Sequence, residues 1–182
     1  MGNVSRTTPT LFVMVGLPAS GKSTRAKQIE EERRALRLTP DEWMIPLFND
    51  NDANGKRNVL EGRFIWLALR ALRHGIDVVL DFGVWGKDER TALRALAAAA
   101  GASCELVYLE IDEDQQRRRR DARASEDSET TFDISDEDLD EYRRRFVPPN
   151  DAELSEAELD PPPAGYTNWS SWASEWWPTS FQ

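Results

Sequence analysis

The stretch that most restricts what this chain can fold into is Leu11 to Thr24, LFVMVGLPASGKST. Leu11 to Val15 is a run of apolar, partly β-branched residues that reads as a buried strand, and it stops at Gly16, where glycine and small residues take over. Gly16-Leu17-Pro18-Ala19-Ser20-Gly21-Lys22-Ser23 fills every fixed position of the phosphate-binding pattern G-x-x-x-x-G-K-S/T, and Thr24 carries on into a helical segment, Lys22 to Arg34. A triphosphate is best met by main-chain N–H groups at a helix N-terminus, and only residues without bulky side chains let the backbone come close. Gly16 and Gly21 permit the turn. Lys22 places a cation on the β and γ phosphates, and the Ser23 hydroxyl is suited to Mg²⁺. A chance glycine-rich turn has no need of a strand before it and a helix after it. The first expectation is therefore binding of ATP with Mg²⁺ by residues Gly16 to Thr24.

The rest of the chain alternates in the same way. Ala35 to Leu38, Ile76 to Leu80 and Cys104 to Ile111 read as strands, separated by helices at Asn58 to His74, Asp88 to Ala100 and Asp112 to Arg123. Strands alternating with helices imply an α/β fold with a parallel sheet and right-handed crossovers, and the order 2-3-1-4 puts the first strand inside. Met1 to Pro9 reads as a flexible lead, residues 10–150 as the nucleotide-binding domain, and residues 151–182 as an acidic, Pro-rich and Trp-rich tail. Ala124 to Thr131 has almost nothing to bury and reads as a mobile loop. Ser135-x-x-Asp138 opens a helix that runs to Phe146. Beyond the stiff Pro161-Pro162-Pro163, a short helix capped by Asn168 puts most of Trp169, Trp172, Trp176 and Trp177 on one side, to pack on the chain's own core or on a partner.

Charge narrows the partners less than its sum implies. Of the net −10, the segment Glu126 to Asp160 holds fourteen acidic residues against three arginines, and the remainder carries 20 basic and 19 acidic residues. A nucleic acid is thus not excluded, but no basic stripe interleaved with aromatics favours it. No apolar run approaches the ~20 residues of a membrane span. The single cysteine, Cys104, reads as a small core residue in a reducing, cytoplasmic setting. With one histidine, His74 in the last turn of a helix, there is neither a zinc site nor a histidine-dependent triad.

Phosphoryl transfer to a hydroxyl needs a metal partner, a proton acceptor and cations near the transferring group. Asp81 ends a β-branched strand at the carboxyl end of the sheet, where it can support Mg²⁺ near Ser23 or orient an acceptor. Asp41 follows the second strand and is a candidate base. Thr39-Pro40-Asp41-Glu42 is also a helix start with Thr39 as N-cap and Glu42 closing a capping box, so Asp41 can equally complement the helix dipole. Arg119 and Arg123 share a face of an arginine-rich helix and suit a lid that brings cations onto the nucleotide.

These pieces, GLPASGKST, LTPDEW, VVLDFGVW with Arg90, Gly101 before Leu106-Val107-Tyr108-Leu109, the arginine-rich helix and FDIS to FVPPNDAEL, resemble the small bacterial AAA-type P-loop ATPases grouped with zeta toxins, chloramphenicol phosphotransferase and the kinase domain of polynucleotide kinase. The likeness covers Thr10 to Leu154 and implies a P-loop NTPase three-layer sandwich with a helical lid. It matches Asp41 to the family's proton acceptor, Arg123 to the lid arginine, Asp81 to the acidic residue after the third strand, and Arg90 to an arginine at a helix start near the substrate. Where the family often has Asn after the lid arginine this chain has Ala124, which keeps Arg119 and Arg120 open as lid cations. The implied activity is an ATP- and Mg²⁺-dependent phosphotransferase acting on a hydroxyl of a small molecule. The alternatives are a polynucleotide 5′-hydroxyl kinase and an ATP-binding module whose tryptophan tail docks a partner.

Overall fold

Alternation along one strand sets the architecture. In β1 (Thr10–Val15), Leu11, Val13 and Val15 enter one hydrophobic cluster while Phe12 and Met14 enter another, because successive side chains point to opposite faces. The computed structural model describes residues 8–50, 52–126, 134–155 and 158–181, with backbone alone for 123–126. The expected flexible lead lies outside the described residues apart from residues 8 and 9.

Four parallel strands, β1, β2 (Leu36–Leu38), β3 (Val78–Leu80) and β4 (Ser103–Tyr108), lie in the order β2-β3-β1-β4, as expected. On one face α1 (Lys22–Arg33) buries Ala26 and Ile29 against Phe12, Met14 and Val79. The other face is covered by α3 (Lys56–Arg73) and α4 (Lys87–Ala99), with Phe64, Ile65, Leu69, Leu72, Leu93 and Leu96 in the larger cluster. A short α2 (Asp41–Phe48) follows β2. Helices α5 (Glu113–Glu126) and α6 (Asp136–Arg145) follow β4, and α7 (Asp151–Leu154) and α8 (Trp169–Trp176) come after them. No helix among the described residues is long and apolar enough to cross a membrane.

Three local expectations change. Helix α2 takes Pro40 as its N-cap without a side-chain cap. Glu42, expected to close a capping box with Thr39, is instead drawn to the Arg37 guanidinium, a charged partner that outcompetes a lone N–H. Helix α5 continues through Ala124 to Glu126, where a mobile loop was expected; residues 127–131 of that loop lie outside the described residues. The Ser135 capping box of α6 and the Asn168 cap of α8 form as expected.

The tryptophan segment is part of the core. Trp169, Trp172, Ala173 and Trp177 are buried in the larger cluster against α4, and only Trp176, at 57% exposure, faces outward. Thr179 then docks on α3, its hydroxyl donating to Val59 O at 2.7 Å while Arg63 donates to Thr179 O at 3.2 Å. Gly62 makes that approach feasible, since a Cβ there would collide with Thr179 Oγ1. Gly62→Ala is expected to cost about 1–3 kcal/mol by overpacking, and Thr179→Ala in the same chain to restore part of it, as read from urea midpoints.

Candidate nucleotide and phosphoryl-transfer site

Parallel pairing brings three chain turns to one edge of the sheet. Val13 lies beside Leu80 and Leu38 beside Leu80 in register, so the loop after β1, the start of α2 and Asp81 all leave the same ends of their strands. Asp81 N donates to Leu38 O at 2.9 Å, which closes β3 against β2 just where the carboxylate begins. Ligands of open α/β sheets bind at this end.

The loop has the shape its residues require. Gly16 (φ 148°) and Gly21 (φ 99°) hold conformations that L side chains rarely adopt. A Cβ on Gly16 would stand 2.6 Å from Leu109 O and 2.9 Å from Ser20 Oγ. Lys22 Nζ donates to Leu17 O at 2.7 Å, folded back over the loop. The Ser20 hydroxyl is buried without a hydrogen-bond partner, an arrangement that costs free energy unless a ligand completes it. An open groove of about 570 Å³ runs beside the loop, lined by Ser20, Gly21, Thr24, Gln28, Leu109 and Arg119.

Ser23 Oγ donates to Asp81 Oδ1 at 3.3 Å, so the structure brings together the two residues expected to share Mg²⁺. Burial pushes the Asp81 carboxyl above its ordinary value, against the pull of the Arg37 charge, the Ser23 hydrogen bond and the Lys22 charge. A divalent cation would reverse that preference. Hydroxyl and carboxylate oxygens suit Mg²⁺, which takes one or two protein ligands and completes its shell with phosphate and water. Among the described residues no cluster of three or more His, Cys, Asp or Glu forms a self-sufficient metal cage.

Helix α5 grips the loop through side chains. Arg119 Nη1 donates to Ser20 O at 3.1 Å, and Gln116, fully buried, donates from Nε2 to Pro18 O at 3.0 Å. The side chain of Arg123 lies outside the described residues. Arg120 and Arg117 turn away toward α6, where both reach Asp136 and Arg117 also reaches Asp140. They tie α5 and α6 together.

Asp41 opens α2 and is 56% exposed, with Oδ1 accepting from Arg57 Nη1 at 2.8 Å. Arg90 departs from the substrate-binding role expected of it. It is 0% exposed, holds Glu153 at 2.8 and 3.2 Å, and donates to Trp85 O and Val147 O. Its guanidinium is taken up in pinning the segment after α6 onto α4, because a buried charge must be paired and fully hydrogen-bonded.

Sequence reasoning missed four residues. Arg37 joins Asp81, Glu30 and Glu42; its one signal is a charge at the centre of a three-residue strand. Arg57 and Glu61 pair at 3.1 Å with i,i+4 spacing, a signal shared by many surface helices. Nothing in the arginine run marks Gln116.

Glu61 has a measurable consequence for stability. Burial pushes its carboxyl up to about 7 from an ordinary 4.5, opposed by Arg57 and reinforced by Glu89 and Asp41. The folded state then binds a proton that the unfolded state releases, so the contribution of Glu61 to stability is fully present below about 4.5 and is lost as pH rises through about 7. Glu61→Gln is expected to remove most of a decline of about 2–3 kcal/mol between those limits, measured by urea unfolding at the two ends of the range.

A parallel sheet of this order, with a Gly16–Ser23 phosphate loop between its inner strand and the first helix, defines a P-loop NTPase α/β fold. The chain belongs to the AAA domain family, whose model matches residues 11–149. No curated protein matches the sequence. Among solved structures it is similar to Chaetomium thermophilum Kti12 in complex with ADP-AlF3, at 19% identity and TM-score 0.60 over 77% of this chain and 81% of that one. A sugar kinase from Janibacter sp. matches at 14% identity and TM-score 0.55, covering 80% and 81% of the two chains. A chain of the Pnkp1/Rnl/Hen1 RNA repair complex matches at 17% and TM-score 0.61, covering 91% of this chain and 52% of its own length.

Proposed function

We propose that the chain is an ATP- and Mg²⁺-dependent phosphotransferase that moves the γ-phosphoryl group to a hydroxyl of a small molecule. The observation that carries this reading is the convergence of the phosphate loop, the Ser23–Asp81 pair and Asp41 on one edge of the sheet. In this reading the main-chain N–H groups of the loop and Lys22 hold the β and γ phosphates, and Arg119, with Arg123 as second lid cation, offsets charge on the transferring group. Ser23 and Asp81 would hold Mg²⁺, which would supply charge neutralisation to the phosphates when bound. Asp41 accepts the proton of the acceptor hydroxyl as its oxygen bonds to the γ-phosphorus and the bond to the β-phosphate oxygen breaks.

A small acceptor is favoured over a nucleic acid end by the charge around Asp41. Glu61 lies within electrostatic reach of both Glu89 and Asp41, so carboxylates outnumber the Arg57 guanidinium they surround, a balance less favourable to a polyanion than to a small neutral acceptor. Incubation with γ-labelled ATP and a panel of sugars, nucleosides, amino alcohols and 5′-hydroxyl oligonucleotides tests it. Label on a small molecule is the expected result. Label on oligonucleotides alone overturns the choice of acceptor, and nucleotide binding without any labelled acceptor supports a binding module instead.

A further inference from the structure

Three side chains between α2 and α3 form a row that runs from solvent inward. Asp41 on α2 is 56% exposed, Arg57 on α3 is 23% exposed, and Glu61 one turn further along α3 is 15% exposed. Asp41 Oδ1 accepts from Arg57 Nη1 at 2.8 Å, and Glu61 Oε1 accepts from Nε of the same guanidinium at 3.1 Å. A guanidinium is planar and presents its N–H groups in a fixed fork, so a bond that fixes Nε also fixes the direction of Nη1. An exposed carboxylate–arginine pair alone samples many geometries and has little energetic preference among them. A buried carboxylate at the far end of the fork removes that freedom.

Resting on the reading of Asp41 as the base, we propose that Glu61 is a positioning residue for Asp41, acting through the Arg57 guanidinium. The groups that face the row come from four elements: Arg57 on Glu61's own helix, Asp41 from α2, Glu89 from α4, and Tyr142 of α6, which feels the Arg57 charge. Glu89 is itself fixed, accepting from Trp85 N at 3.0 Å and Gly86 N at 2.6 Å. Because burial lifts the Glu61 carboxyl to about 7, both of its protonation states are populated near neutrality. Ionised Glu61 shares the guanidinium with Asp41. Neutral Glu61 withdraws one of the carboxylates that compete for the Arg57 charge, which changes the electrostatic surroundings of Asp41.

Carboxyl ¹³C NMR of the full chain, without nucleotide or acceptor, tests the coupling. Besides the step at which Asp41 itself titrates, its Cγ resonance is expected to show a second inflection near pH 7 in the wild type, reporting Glu61. That inflection is expected to disappear in Glu61→Gln and in Arg57→Met. A single step in the wild type overturns the proposal, as does an inflection that survives Glu61→Gln. If Glu61→Gln does not fold, Arg57→Met at its more exposed position carries the same test. The reading of Asp41 as base fails separately: an Asp41→Asn chain that transfers label normally removes it without altering the NMR result.

Discussion

Asp41→Asn is expected to slow phosphoryl transfer by about 10²–10⁴-fold while leaving Mg·ATP affinity unchanged. Asn keeps the size of the side chain and an oxygen for Arg57, so the substitution removes the capacity to take a proton together with the negative charge of an exposed ion pair. The Asp41–Arg57 pair is more than half exposed on the Asp41 side, and pairs of this kind contribute about 0–1 kcal/mol. The variant should therefore fold normally. Asp41 stands outside the Gly16–Ser23 loop, so calorimetry with Mg·ATP should not distinguish it from the wild type. The measurement is label transfer to whichever acceptor the panel identifies. Equal rates in the two chains would remove Asp41 from the chemistry.

Glu153→Ala is expected to cost about 3–5 kcal/mol. Arg90 is fully buried and commits its guanidinium to Glu153, Trp85 O and Val147 O. Removing the carboxylate leaves a buried guanidinium without its counter-charge. The same guanidinium secures Val147, whose N–H donates to Trp85 O at 3.0 Å, so the segment after α6 should loosen together with the pair. For a chain of this size such a loss lowers the melting temperature by roughly 10 °C. Replacing both partners, Arg90→Met with Glu153→Leu, is expected to recover most of the stability, because well-packed apolar side chains can substitute for a buried ion pair. A loss below about 1 kcal/mol in Glu153→Ala would mean that the pair is dispensable.

The sheet and its phosphate loop were legible because local and long-range signals agree there. The run Leu11 to Val15 is apolar on both faces, as a strand between two helical layers must be, and the loop motif demands a helix immediately after it. Asp81 was legible for the same reason: a β-branched strand delivers it to the edge. Arg90 was not, since a helix-start arginine looks alike whether it meets a substrate or a carboxylate 63 residues away in sequence. The fate of the tryptophans also depended on tertiary packing. Their spacing gave one indole face, but only the apolar surface of α4 decides that Trp169, Trp172 and Trp177 turn inward. At α2, the Thr39 capping pattern was present in sequence and unused, because Arg37 offers Glu42 a stronger partner.

Titration calorimetry of the full chain and of Lys22→Ala with Mg·ATP tests the central claim most directly. Lys22 Nζ bonds back over its own loop at Leu17 O, a local contact whose loss should leave the fold intact. The account predicts saturable heat for the wild type and binding weaker by about 10–100-fold in the variant, the value of one charge-assisted hydrogen bond. No heat from folded wild-type protein, or identical isotherms for the two chains, would contradict it.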